Sequence, residues 1–102
     1  MKIVAVTSCA TGIAHTYMAA EALERAGKAA GHEMIVETQG VGGYKPTSVD
    51  VIKSADVVIF ANDVGIRDLD RFDGCKIVQA IPKQAIKDAA ALIKQAEELA
   101  GK

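Results

Sequence analysis

Cys9, Thr11, His15 and Thr16 fall within one short segment, Cys9-Ala10-Thr11-Gly12-Ile13-Ala14-His15-Thr16. A thiol, two hydroxyls and an imidazole at this spacing can hold and transfer a tetrahedral anion. The apolar run Ile3-Val4-Ala5-Val6 precedes them and reads as a strand. Cys9 then stands at the carboxyl end of that strand, the edge at which open α/β sheets bind ligands. A helical pattern follows. Its amino terminus offers unpaired N–H groups and about half a unit of positive charge, a ready site for an anion. The same field favours thiolate over thiol, and the thiolate is the nucleophile. Gly12 admits conformations closed to other residues, so the N–H groups from Ala10 through Ile13 and Ala14 to Thr16 can converge on a phosphoryl carried by sulfur. Thr11 and Thr16 add hydroxyl donors, and His15 adds a donor or a charge. No metal or other cofactor is needed. Neither cysteine has a ligand-spaced partner, and no CxxC or HxxxH occurs.

These residues need a scaffold, and strand and helix patterns alternate along the chain. Lys2 to Thr7 reads as a buried strand. A helix is expected from about Gly12 to Ala30, with Met18, Ala22, Leu23, Ala26 and Ala30 on one face. Gly31 ends it. Glu33 to Thr38 alternates, with Met34, Val36 and Thr38 on one side and Ile35 and Glu37 on the other. Gly40 to Pro46 reads as a glycine-rich loop. Thr47 or Ser48 can cap a short helix reaching Lys53. Asp56 to Ala61 holds the continuous apolar run of a strand covered on both faces. A short helix is possible around Asp68 to Phe72, and Cys75 to Ala80 reads as a fourth strand. Pro82 suits the first position of a last helix, whose buried stripe is Ile86, Ala89, Ala90, Ile93, Ala96 and Ala100. This alternation predicts parallel pairing with right-handed crossovers. The expected fold is α/β: one domain, a four-stranded parallel sheet of order 2-1-3-4 with helices on both faces, Rossmann-like. Strand one is central, and Cys9 stands where the strand order reverses.

Composition agrees. A chain of 102 residues suits one domain. Half of the residues are apolar, dominated by Ala, Val and Ile, which favours closely packed helices on a sheet. A net charge of −1 without charged blocks argues against a nucleic-acid surface. No apolar stretch approaches the ~20 residues that span a bilayer, and no signal peptide is visible. Two cysteines, Cys9 and Cys75, make no disulfide framework, so a reducing cytoplasm is expected.

The strand-Cys-loop-helix order resembles the phosphate loop of low-molecular-weight tyrosine phosphatases, which reads Cys-x5-Arg-Ser/Thr. Here His15-Thr16 follows the x5 segment. Imidazole is not the rigid bidentate clamp that guanidinium is, so the loop suits a phosphoryl carrier better than a hydrolase. The segment from Cys9 to Leu23, ending Tyr17-Met18-Ala19-Ala20-Glu21-Ala22-Leu23, closely resembles the signature of fructose-family IIB domains of the bacterial sugar phosphotransferase system. Glu37-Thr38-Gln39-Gly40, Ala55-Asp56-Val57-Val58-Ile59, Ala61-Asn62-Asp63 and Arg71-Phe72 extend the resemblance over nearly the whole chain. The family usually carries proline after the cysteine; this chain has Ala10, which leaves one more N–H donor.

The resemblance implies that Cys9 forms a phosphocysteine. It would receive phosphoryl from a phosphohistidine on a IIA domain and pass it to a sugar held by a membrane-embedded IIC domain. The chain would be a IIB phosphocarrier domain over residues 1–102, cytoplasmic, at the inner membrane face when docked. Two alternatives stand beside this: a small cysteine phosphatase or arsenate reductase-like enzyme, and a IIB-like regulatory module. Cys75 reads as a packed residue opening a core strand, His32 as solvated, and Asp63 as a loop residue beside the crevice. Gln39, Gly40 and Gly42 are candidates for docking or phosphoryl contact. Arg67 and Arg71 would either meet an acidic partner or be solvated.

Overall fold

A computed structural model of the chain describes residues 1–8, 13–40, 43–44, 47–66 and 69–101. The first strand, β1 (Lys2–Ser8), is buried from Ile3 onward. Its unbroken run of small and β-branched side chains suits a strand covered on both faces. It pairs in parallel with β2 (Glu33–Gly40) on one side and β4 (Val57–Asn62) on the other. β5 (Ile77–Ala80) extends the sheet beyond β4, also in parallel. The four parallel strands therefore run β2-β1-β4-β5, the 2-1-3-4 order expected from the sequence. One short element was not anticipated. Gly43–Tyr44 forms β3, antiparallel to Gln39 and Gly40 at the outer edge of β2, inside the segment read as a plain loop.

Helices lie on both faces. α1 (Ile13–Ala29) and α3 (Pro82–Ala100) cover one face and share a core with Ile3, Ala5, Ile59 and Val78. α2 (Val49–Ser54) and a 3-10 turn (Leu69–Phe72) lie on the other, where Val4, Val6, Ile52, Val58, Phe60 and Phe72 pack together. The rings of Phe60 and Phe72 meet edge to face with centroids 4.9 Å apart. Ser48 caps α2, its Oγ accepting from Val51 N at 3.3 Å.

Several expectations are corrected in detail. The buried stripe of α1 runs through Thr16, Ala19, Ala20, Leu23 and Gly27, whereas Met18 is 51% exposed and Ala30 is exposed. Small residues win the contact face because α1 lies close to the sheet: a Cβ on Gly27 would overlap the Met34 thioether. In α3, Ala85 and Leu92 are buried and Ala90 is exposed. Asp88 interrupts this helix with φ −155° and ψ 72°, and its Oδ1 accepts from Ala91 N at 3.2 Å. The second half is recapped there, yet Ala85, Ala89, Leu92, Ile93 and Ala96 keep helical spacing across it, and Ala90 falls outside that stripe. Cys75 does not open β5; it sits half-buried in the turn before the strand, its N–H donating to Phe72 O. His32 is not solvated. Its Nε2 lies 2.6 Å from Glu97 Oε2 and its Nδ1 lies 3.2 Å from the Met1 amine, joining the start of the chain to α3.

Candidate functional site

β1 ends at Ser8 and α1 begins at Ile13, so residues 9–12 connect the central strand to a long helix. Ser8 stands in register with Gln39 of β2 and Asn62 of β4. β2 and β4 flank β1, and the helices that follow β1 and β2 lie on opposite faces. Position 9 therefore follows the strand at which the winding reverses, the usual location of a ligand crevice. Cys9, Ala10, Thr11 and Gly12 lie outside the described residues. Ile13, Ala14 and His15 form the first turn of α1 in their backbone, while their side chains lie outside the description.

The first turn of α1 contains no acidic residue. Carboxylates commonly occupy that position because they offset the helix dipole. Thr16 is 1% exposed, and its Oγ1 has no hydrogen-bond partner among the described residues. Its carbonyl accepts from Thr7 Oγ1 at 3.1 Å, which pins the turn to β1. A buried hydroxyl without a partner costs about 1–3 kcal/mol.

Polar burial is concentrated here. The buried polar side chains among the described residues are Thr7, Ser8, Thr16, Glu37 and Gln39. All lie at the carboxyl ends of β1 and β2 or in the first turn of α1. Glu37, 3% exposed, is held by Arg71 of the 3-10 turn. Arg71 Nη1 donates to Glu37 Oε1 at 2.9 Å and Nη2 donates to Oε2 at 3.0 Å, a bidentate pair. Gln39 Nε2 donates to Oε2 at 2.6 Å, and Thr47 N donates to Oε1 at 2.7 Å. Arg71 Nη1 also reaches Thr47 O at 2.9 Å. Burial pushes the Glu37 carboxyl pKa up, but the hydrogen bonds from Arg71, Gln39 and Thr47 outweigh it and hold that pKa below its ordinary value. The network joins the ends of the segment 39–47 to the 3-10 turn, beside the strand end that precedes Cys9.

On the other side of the site, Asp63 N donates to Ser8 O at 3.1 Å. Asn62 Oδ1 accepts from Gln79 Nε2 at 2.7 Å, tying β4 to β5. The candidate Gln39 is thus placed beside Ser8 and engaged with Glu37. Gly42 and Arg67 lie outside the described residues. Arg71, left open between a partner contact and solvent, is instead a partly buried partner of Glu37. The sequence did not mark this: Glu37 shares a strand face with Glu33, Ile35 and Gln39, of which only Ile35 is apolar. It gave no means of finding Arg71, which is 34 positions away. Cys75 precedes β5, whereas Cys9 follows β1; in a parallel sheet these are opposite ends. Among the described residues no helix is long and apolar enough to cross a membrane.

Comparison with known proteins converges on one family. The family model described as "PTS system, Lactose/Cellobiose specific IIB subunit" matches residues 4–95. The "PTS system fructose-like EIIB component 2" of Escherichia coli is 48% identical over 97 residues, 94% of this chain and 92% of that protein. The "PTS system fructose-specific EIIB'BC component" of Xanthomonas campestris is 50% identical over 101 residues, 98% of this chain but 17% of that protein. The solution structure of an Enzyme IIB subunit of the PTS system from Escherichia coli K12 superposes with a TM-score of 0.90 at 38% identity, covering 98% of this chain and 94% of that one.

Proposed function

The chain belongs to the IIB family of the sugar phosphotransferase system, and from that premise we propose that Cys9 carries phosphoryl as a phosphocysteine between a IIA donor and a sugar bound to IIC. The Cys9 thiolate attacks phosphorus of the donor phosphohistidine. The P–N bond breaks as the S–P bond forms, and the leaving imidazole keeps the electron pair and takes up a proton. A sugar hydroxyl then attacks the same phosphorus, the S–P bond breaks, the thiolate leaves, and the hydroxyl proton passes to a base on the acceptor side. The residues Ala10 to Thr16 supply backbone N–H and hydroxyl donors to the equatorial oxygens, with His15 in place of a guanidinium clamp. A thiolate leaving group requires no general acid, so Asp63 is not needed for chemistry.

The observation that carries this reading is the clustering of buried polar side chains around the strand end that precedes Cys9, with a Thr16 hydroxyl that has no partner among the described residues. The acidic-free first turn of α1 supports it. Residues 1–102 act as a single phosphocarrier domain in the cytoplasm, docking at the inner membrane face. Relatives with EIIB joined to further components support IIA and IIC as the partners, and the fructose-like relatives support a fructose-like sugar. The test uses phosphoenolpyruvate, the general phosphotransferase proteins and a matching IIA. Mass spectrometry should find one added phosphoryl, absent from Cys9→Ser and present in Cys75→Ser. A Cys9→Ser protein that still accepts the label would sink the assignment.

A further inference from the structure

The face of the sheet opposite α1 and α3 has a thin cover, and it leaves a groove of about 430 Å³ beside the site. Phe60, Ile66, Leu69, Phe72 and Ile77 give it an apolar lining, and Asn62 marks the end in register with Ser8. Leu69 is 53% exposed and Ile77 36% exposed, although both are large and apolar. An apolar surface left open next to a transfer site is characteristic of a docking surface.

Charge identifies the occupant. Asp73 lines the groove, and exposed Asp70 sits beside Leu69 on the flanking turn. Exposed Asp63 follows Asn62 at the site end. Among the described residues two cations adjoin this rim: Arg71, which is committed to Glu37, and exposed Lys76 before Ile77, so the three carboxylates still outnumber the uncommitted positive charge. A carboxylate rim opposes the approach of a doubly charged phosphohistidine from this side, and it equally opposes anionic lipid headgroups. It attracts a basic protein segment. Cytoplasmic loops of membrane proteins are enriched in Lys and Arg, so a loop of a membrane-embedded carrier has the matching charge and its apolar residues match the groove floor.

On the phosphocarrier reading of Cys9, on which this step rests, we infer that the groove between the 3-10 turn and β5 docks a Lys/Arg-bearing cytoplasmic loop of the membrane-embedded sugar carrier. The donor approaches from elsewhere around Cys9. Two partners that must reach one thiol in turn are thereby separated by charge: an anionic donor on one side, a cationic loop with a neutral sugar on the other.

The test measures sugar phosphorylation by carrier-containing inverted vesicles as the concentration of this protein is varied. Asp70→Lys/Asp73→Lys should raise the half-saturating concentration roughly tenfold at low salt, and the gap should close in molar salt. Leu69→Ala should raise it at both salt concentrations. Neither protein should accept phosphoryl from IIA more slowly than the wild type; circular dichroism checks that they remain folded. Unchanged half-saturation in both variants, or an equal loss in the IIA step, overturns the assignment. Cosedimentation of Cys9→Ser with the same vesicles needs no phosphoryl, so it tests the groove even if the thiol assignment fails. Binding to carrier-containing but not carrier-free vesicles supports the inference; equal binding to both means a lipid surface and overturns it.

Discussion

On one face of the sheet, Ile3, Ala5, Ile59 and Val78 meet two helices, α1 and α3, and the fully buried polar side chains facing them are Thr7 and Thr16 at the site end. On the other face, a six-residue helix and a four-residue turn cover Val4, Val6 and Phe60, and a carboxylate–guanidinium pair is buried alongside them. Long helices bury much apolar surface for each connecting loop, so the first face supplies most of the fold's stability. Short elements leave room. The second face uses that room for the Glu37 network at its β2 edge and for the open groove at its β5 edge. Each reaches a residue in register with Ser8, the last residue of β1: Gln39 in the network and Asn62 in the groove. The contrast separates a face that holds the sheet together from a face that carries function, and it can be broken from either side.

The largest effect is expected on the functional face. Arg71→Ala leaves Glu37 as a buried carboxylate without its cation, and breaking such a pair costs about 3–5 kcal/mol. A domain of this size is stable by roughly 5–15 kcal/mol. Chemical denaturation should therefore show a large fraction of stability gone. Because the network also anchors Thr47 and Gln39, the folded fraction should accept phosphoryl more slowly than the wild type. A loss below about 1 kcal/mol would mean that the pair is not closed in solution.

Leu23→Ala tests the opposite face. Leu23 is fully buried between α1, the sheet and α3, and deleting such a side chain costs about 2–5 kcal/mol including the cavity it leaves. Here the expected result is unfolding at lower denaturant with transfer by the folded fraction unchanged. If Leu23→Ala slowed transfer as much as Arg71→Ala, the two faces would not divide stability from function.

The pH dependence follows from Glu37. Its folded pKa lies below the ordinary value of 4.5, so the folded state holds the carboxylate more strongly than the unfolded chain does. The resulting stabilisation is fully present above about pH 4.5. It is lost as pH falls through the lower, folded value. Thermal unfolding of the wild type and Glu37→Gln should differ most near neutrality and converge in acid below that point. A gap that stays constant across this range would show that Glu37 titrates in the fold as it does in the unfolded chain.

The division between faces also explains what the sequence revealed. Strand order and helix placement were legible because β1 and β4 are unbroken apolar runs and the crossovers have one allowed hand. Cys9 stood out because a thiol, a glycine and hydroxyls sit together in one segment. The α1 stripe was misread because apolarity favours Met18, while close packing on β2 selects Ala19 and Ala20. The Glu37–Arg71 pair was hidden because it joins distant segments through the fold, and side-chain type alone says nothing about which carboxylate meets which cation. His32 was misread for the same reason: its partners, Met1 and Glu97, lie at the two ends of the chain.

The smallest effect is expected at Gly27, where the stabilising face is most tightly built. Gly27 lies inside α1, and glycine there is worse than alanine by about 1 kcal/mol. A Cβ would overlap the Met34 thioether of β2, so the helix gives up intrinsic propensity in order to approach the strand. Met34 is flexible and only partly buried, so it can swing aside at a cost of about the same size. Gly27→Ala should therefore change stability by less than about 1 kcal/mol, because the two terms oppose each other. Trimming the obstacle separates them. In the Met34→Ala background the added Cβ meets less resistance, and Gly27→Ala should then be stabilising by up to about 1 kcal/mol. A double-mutant cycle by urea denaturation measures the difference. If Gly27→Ala were equally neutral in both backgrounds, Met34 would not be what keeps position 27 a glycine, and the close approach of α1 to β2 would need another cause.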